Sequence, residues 1–164
     1  MPRTVASLGR LAGIGLLIAS IGVASAEIRI HDAWSRATPP GHPTGAVYFE
    51  LVNDSRRGDA LVGVRTKRAP RAELHRTIEE GGNSRMVHTA RVRIPAEGHL
   101  TFEPGGRHVM LMGLDEALAE GESYEIILEL EDGGDLPVTV EVLAPTAMGA
   151  DPSHGAMHHH DMGD

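Results

Sequence analysis

The chain has 164 residues, of which 41% are hydrophobic, 23% are charged and 3% are aromatic, and it contains no cysteine. Its formal net charge of -8 provides no concentrated lysine and arginine surface for phosphate groups, which excludes DNA and RNA as expected partners. The length and aliphatic content predict one folded domain rather than a disordered chain or two domains.

The first 26 residues have the pattern of a secretory signal peptide. Arg3 and Arg10 precede an apolar run over residues 11–24, which ends in the small residues Ala24-Ser25-Ala26. This uncharged stretch is shorter than the roughly 20 residues that span a bilayer, and no stop-transfer segment follows it. We therefore expect export with cleavage after Ala26 and no stable membrane insertion. Without cysteine, stability must come from the core, and any soft metal ligand must be a methionine.

From residue 28 onward, alternating polar and apolar positions predict an all-β domain, because no stretch keeps a 3.6-residue period over ten positions. Strands are predicted over residues 28–33, 46–52, 61–66, 72–78, 85–88, 91–94, 99–102, 108–112, 124–130 and 136–142. The sequence Asp132-Gly133-Gly134-Asp135 predicts a hairpin turn, and residues 114–121 predict one helical turn closed by Gly121. Short strands at this spacing favour a two-sheet β-sandwich.

The predicted sandwich domain spans residues 27–145, because the composition changes abruptly after Pro145. Residues 146–164 contain too few bulky apolar side chains to join a core, which predicts a disordered tail. Consecutive imidazoles on a flexible segment bind copper in either oxidation state, so the tail is a candidate for Cu(II) or a second copper ion. A solubilising segment and a remnant of an expression tag are the alternatives. The tail donors are His154, Met157, His158, His159, His160 and Met162.

Histidine and methionine also recur on the predicted strands. In the segment 108–112, side chains alternate between faces, so the two intervening apolar residues serve the core while His108, Met110 and Met112 share the opposite face. By the same alternation His75 lies opposite a core leucine, and Met86 follows a Gly-Gly turn that brings it onto an adjoining strand. Taken singly, each of these residues is more often a packing or surface residue.

Together, two imidazoles and one or two thioethers form a selective ligand set. The polarisable sulfur of methionine favours Cu(I) over zinc and hard cations. A trigonal or tetrahedral site of neutral ligands also leaves a single positive charge, which is less costly to desolvate than a dication. The residue types therefore predict a shallow Cu(I) site.

The spacing of four of these residues resembles the signature of the periplasmic copper chaperones of the PCu(A)C type. His75 is followed after ten residues by Met86, after a further twenty-one by His108 and after one more by Met110. Segments 37–48 and 104–114 are also similar, so the resemblance covers about residues 28–143. It implies a cupredoxin-like sandwich in the periplasm that holds Cu(I) on these four residues. It also implies delivery to a copper-accepting protein, such as subunit II of cytochrome c oxidase with its dinuclear copper centre, or another copper carrier.

Other functions were weighed against this one. A blue-copper electron carrier needs a cysteine thiolate, and no nucleophile motif, catalytic carboxylate pair or H-E-x-x-H pattern indicates an enzyme. A periplasmic copper-buffering or resistance protein stays open, as does a non-catalytic interaction module. Five further residues are predicted to serve surface or edge packing, with the tryptophan a candidate fluorescence reporter: His31, Trp34, His42, His88 and His99.

Overall fold

The computed structural model describes residues 28–150, which contain ten β-strands and no helix. The strands are β1 (Ile28–Arg36), β2 (Thr44–Asn53), β3 (Asp59–Thr66), β4 (Arg71–Glu80), β5 (Asn83–His88), β6 (Val92–Ile94), β7 (Gly98–Phe102), β8 (Arg107–Met112), β9 (Ser123–Leu130) and β10 (Gly134–Leu143). The all-β prediction is confirmed, and each predicted strand is present with bounds shifted by at most three residues. Within residues 28–150 there is no helix of the length and apolarity needed to cross a membrane.

The ten strands join into one hydrogen-bonded sheet in the order β5-β4-β8-β7-β2-β1-β10-β9-β3-β6, with β8 also paired to β2. Neighbouring strands are antiparallel except for β1 with β10 and β7 with β8. Strand β3 contacts β4 although the two lie near opposite ends of this order, so the sheet folds back on itself around the core. Strands β5 and β6 are its two edges.

The core fills the space between the two halves of the folded sheet. Phe49 and Phe102 stack with ring centres 4.2 Å apart, and both are buried. From the strands β4 and β8, Leu74, Val109 and Leu111 point into this core and are at most 3% exposed. Their neighbours along each strand must therefore face the opposite side of the sheet.

The helical turn predicted over residues 114–121 is wrong. The N–H of Leu118 donates to the Thr38 side-chain oxygen at 2.9 Å, and the Leu118 carbonyl accepts from the Thr38 N–H at 3.0 Å. Leu114 and Leu118 are both buried. The backbone groups that would close a helical turn instead bind the loop after β1, so packing overrides the local preference.

Candidate metal centre

The sheet brings the four predicted ligands to one face of three adjacent strands, with β4 between β5 and β8. His75 of β4 lies directly opposite His108 of β8. Met86 of β5 lies opposite Thr77, which follows His75 by two positions on β4. Met110 follows His108 by two positions on β8. Directly opposed residues and residues two apart share a face, so all four side chains lie on the side of the sheet opposite the core.

The two imidazoles are close enough to share an ion. A metal–nitrogen bond of about 2.0 Å and a ring radius of about 1.1 Å place a shared ion about 3.1 Å from each ring centre, so sharing requires centres less than about 6.2 Å apart. The ring centres of His75 and His108 are 5.9 Å apart. The pair meets this condition with its present side-chain positions.

The hydrogen bonding of His75 leaves one nitrogen available. Its Nε2 lies 3.0 Å from Oε2 of Glu73, whose carboxylate accepts a hydrogen bond from the protonated nitrogen. Its Nδ1 is buried and has no hydrogen-bond partner. A buried polar atom without a partner is unfavourable, and a carboxylate that fixes the other nitrogen of a histidine is typical of metal ligands. His75 therefore fits a ligand that binds through Nδ1.

In His108 the hydrogen-bonded nitrogen is the other one, Nδ1. Its Nδ1 lies 3.3 Å from the carbonyl oxygen of Gly106, which can only accept, so the proton is on Nδ1 and Nε2 carries the free lone pair. Burial lowers the pKa of His108, as does the neighbouring His75, while the bond to Gly106 opposes the shift. The ring is only 5% exposed. His108 is therefore a neutral donor at pH 7, for which protons compete weakly.

The two methionines differ in exposure and line one cavity together with His108. Met86 is 59% exposed, whereas Met110 is half-buried. Together with His108 they line a cavity of about 360 Å³. Its other wall includes residues of the β1–β2 loop and of β2, such as His42 and Tyr48. The candidate centre thus combines a buried imidazole with an exposed thioether.

Among residues 28–150, no group of three or more histidine, cysteine, aspartate or glutamate side chains is arranged to hold a metal ion. The candidate nitrogen donors of this centre are two imidazoles, and its other candidate donors are the thioethers of Met86 and Met110. This composition suits a soft monovalent ion better than zinc or a hard dication. The spare thioether of the predicted strand, Met112, accepts a hydrogen bond from Arg71 at 3.1 Å and so has its own partner.

A row of rings crosses the sheet through the centre. Trp34 and Tyr48 have ring centres 4.7 Å apart, and Tyr48 lies 6.4 Å from His108. Trp34 was expected in surface or edge packing, but it is only 5% exposed because Tyr48 and the Arg36 guanidinium cover it. The tryptophan is therefore connected to the candidate centre through a single intervening ring.

The sequence interpretation missed the position of His88. This residue does lie on an edge strand and is exposed, as expected, but it is directly opposite His75, with ring centres 6.0 Å apart. A signal for it exists: Gly81 and Gly82, with φ of +60° and +81°, form a two-residue hairpin turn between β4 and β5. Such a turn fixes the register of both strands, and counting outward from it pairs His75 with His88.

The predicted signal peptide (residues 1–26) and the tail donors lie outside the described residues; these donors are His154, Met157, His158, His159, His160 and Met162. The last described segment contacts the rim of the centre. Arg36, which lines the same cavity as His108, donates to the carbonyl of Ala147 at 2.8 Å and to the sulfur of Met148 at 3.2 Å. The beginning of the tail is thus held at the cavity wall.

Comparison with known proteins identifies similar chains. The model of the LpqE-like lipoprotein family matches residues 28–142. Protein Lxx21020 of Leifsonia xyli is 32% identical over 116 residues, which are 70% of this chain and 69% of that protein. The copper-bound PCuAC domain from PmoF2 is 26% identical with a TM-score of 0.63, covering 74% of this chain and 97% of that domain. The solution structure of CuI-DR1885 from Deinococcus radiodurans is 35% identical with a TM-score of 0.61, covering 77% and 85%.

Proposed function

We propose that this chain, which belongs to the LpqE-like family and is a PCu(A)C-type protein, is a copper chaperone. In this proposal it binds Cu(I) through His75, Met86, His108 and Met110. The observation that carries the proposal is the strand register, which puts the four side chains on one face of three adjacent strands. The unpartnered Nδ1 of His75 supports it as well. Similar structures whose names record bound copper support the choice of metal.

Copper in this proposal is cargo. The four donors are neutral, so the occupied site carries one positive charge, and the two imidazoles are already held in the tautomers that present a lone pair. Met86 is exposed and lies within reach of an acceptor, whereas His108 is buried. The role is binding and transfer by ligand exchange, with no catalytic step.

The proposed setting is the periplasm. In this division of the chain, residues 1–26 direct export and are removed after Ala26, residues 27–145 form the copper-binding domain, and residues 146–164 form the tail. The acceptor is a copper-accepting protein such as subunit II of cytochrome c oxidase, or another copper carrier. The lipoprotein family to which the chain belongs supports export.

The tail is proposed as a second copper-binding segment, for Cu(I) or Cu(II), that passes copper to or from the main centre. The contacts of Arg36 with Ala147 and Met148 support this role, because they hold the beginning of the tail against the cavity wall. The next imidazole, His154, follows Met148 by six residues, a distance of up to about 20 Å in an extended chain.

A Cu(I) titration without oxygen, in competition with a chelator, tests the main site. It uses the whole chain with the six tail donors replaced by serine, so that the tail cannot bind copper. We expect the double variant Met86→Ala, Met110→Ala to lose affinity by about 100-fold or more, since two of four soft donors are removed. Met112→Ala, which removes a thioether from the same strand face, is the matched control.

X-ray absorption of the Cu(I)-loaded protein provides the structural readout, with two nitrogen and two sulfur neighbours expected. Unchanged affinity in the double variant, or a shell without sulfur, would refute the assignment. Tight binding of one Cu(I) ion without transfer to any acceptor would instead identify a copper-buffering protein. Absence of copper from protein purified with and without added copper would leave a metal-free interaction domain.

A further inference from the structure

We propose that His88 is an additional copper donor, and that His88, Met86 and His75 form an outer binding position on edge strand β5 through which Cu(I) enters and leaves. The proposal rests on the Cu(I) site of the previous section, with which it shares His75 and Met86. It assigns a function to an imidazole that belongs to no predicted ligand set.

The first observation is a row of three imidazoles in register across three strands. His88, His75 and His108 lie directly opposite one another on β5, β4 and β8. The ring centre of His75 lies 6.0 Å from that of His88 and 5.9 Å from that of His108. Both separations are below the limit of about 6.2 Å at which two imidazoles share an ion. Both pairs therefore meet this distance condition, and His75 lies between its two neighbours.

The second observation is the difference in exposure between the two ends of this row. His108 is only 5% exposed, whereas His88 is exposed and the adjacent Met86 is 59% exposed. Strand β5 is at the edge of the sheet that residues 28–150 form, with no other strand of that segment beyond it. An acceptor can therefore reach donors on β5 directly, while it cannot reach the buried His108 ring without moving other groups.

The third observation is that the ring nitrogens of His88 have no hydrogen-bond partner within residues 28–150, although the charge of the Glu73 carboxylate acts on this imidazole. Within residues 28–150 its ring makes the edge-on contact with His75, at an interplanar angle of 77°, and no hydrogen bond or ion pair is found for it. Met86 and His88 are two positions apart on one strand, so their side chains are neighbours on the same face. A thioether and an imidazole are thus paired at the solvent-facing edge of the centre.

The transfer step is an exchange of ligands at constant oxidation state. In the inner position Cu(I) is bound by His75, Met86, His108 and Met110. A bond from copper to the lone pair of a His88 ring nitrogen forms as the bonds to His108 and Met110 break, while His75 and Met86 stay bound. No electron moves, and no proton is released. The three-coordinate outer ion then has an open side toward the acceptor, as suits Cu(I).

Kinetics separate this role from that of an ordinary ligand. The test uses the full chain with the tail donors replaced by serine, loaded with Cu(I) and mixed with excess bathocuproine disulfonate, a coloured Cu(I) chelator, as acceptor. We expect His88→Ala to slow Cu(I) release about ten-fold while changing the affinity less than about three-fold. His88→Met, which returns a soft donor to the same position, should restore the rate.

Two control variants are matched in chemistry. His99→Ala removes an exposed imidazole from β7, away from the centre, and should leave both quantities unchanged. His42→Ala removes the imidazole of the β1–β2 loop that lines the cavity. Slower release in His42→Ala but not in His88→Ala would place the exchange route on the cavity side and overturn the proposal. An affinity loss in His88→Ala as large as that in His75→Ala would make His88 an inner ligand and overturn it as well.

A spectroscopic measurement with Ag(I), a spin-½ mimic of Cu(I), tests the outer position itself. In His108→Ala the inner position lacks its buried ligand, so the ion should settle at the outer position. In protein with ¹⁵N-labelled histidine, we expect splitting by silver at ring nitrogens of both His75 and His88. Splitting at His75 without His88 would overturn the outer position. Failure of the proposed function appears separately, as unchanged affinity in the Met86→Ala, Met110→Ala protein.

Discussion

Replacement of Glu73 by glutamine tests whether the carboxylate beside His75 tunes the copper site. The Glu73 carboxylate holds the proton on Nε2 of His75 and so leaves Nδ1 free for the ion. The hydrogen bond from His75 is also the main cause that lowers the pKa of the Glu73 carboxyl, so this group is ionised at pH 7. Glutamine keeps the shape and can still accept the hydrogen bond through its amide oxygen, but it carries no charge.

The expected effect follows from the strength of this hydrogen bond. Hydrogen bonds to charged groups contribute about 1.5 to 3 kcal/mol, and neutral ones about 0.5 to 1.5 kcal/mol. The same hydrogen bond is present without copper, so only its strengthening when His75 binds the ion counts, and we expect Cu(I) binding to weaken by up to about ten-fold. The side chains of Glu73 and His75 are 30% and 16% exposed, so water screens the pair only in part. Removal of the acceptor in Glu73→Ala should cost more, up to about 100-fold.

The assay is Cu(I) competition with a chelator at pH 7, with the tail donors replaced. Glu79→Gln is the matched control, because Glu79 lies on the same strand and face but accepts a hydrogen bond from Ser84 rather than from a histidine. In the metal-free protein, ¹⁵N chemical shifts should show His75 protonated at Nε2, with a larger fraction of the other tautomer in Glu73→Gln. Equal affinities for the Glu73→Gln and Glu79→Gln proteins would refute the reasoning.

Four other measurements are predicted. Burial raises the pKa of Tyr124 to about 12. The contribution of this residue to stability is therefore complete below pH 10 and is lost as the pH rises toward 12. Urea unfolding should show a loss of about 2 to 3 kcal/mol over this range, and the loss should be absent in Tyr124→Phe. An NMR titration of the metal-free protein should find a pKa below 6.5 for His108, and a value above it would contradict the effect of burial. Emission from Trp34 should change with one equivalent of Cu(I), since a single ring separates it from His108, and unchanged emission would place the ion elsewhere. Leu111→Ala should lower the free energy of unfolding by about 2 to 5 kcal/mol, and a loss under about 1 kcal/mol would contradict its burial.

The strands and their faces could be predicted because both depend on local alternation. A two-residue period is visible within a single strand, and the buried Val109 and Leu111 determine where His108 and Met110 point. The hairpin register of β4 and β5 was equally readable, since Gly81-Gly82 fixes it. The face of each strand alone does not pair His75 with His88, because that pairing depends on the register that the turn sets.

The pairing of β4 with β8 could not be derived from the sequence pattern. Their opposed residues His75 and His108 are separated by three other strands along the chain, and the register of distant strands is set by which apolar faces meet in the core. The family spacing supplied that information in place of physical reasoning. The helical turn predicted around Leu118 is wrong for a related reason, because the hydrogen bonds of Leu118 go to Thr38, which is 80 residues away.

The division of each strand into a core face and a ligand face lets binding change without loss of the fold. Leu74 is buried next to His75, and Val109 and Leu111 alternate with the ligands of β8, so the apolar residues rather than the ligands keep the strands in register. Edge strand β5 differs, since none of its residues is fully buried and the hairpin turn fixes its place. Its donors are therefore the ones that can move during exchange, while His75 and His108 stay fixed beside the core.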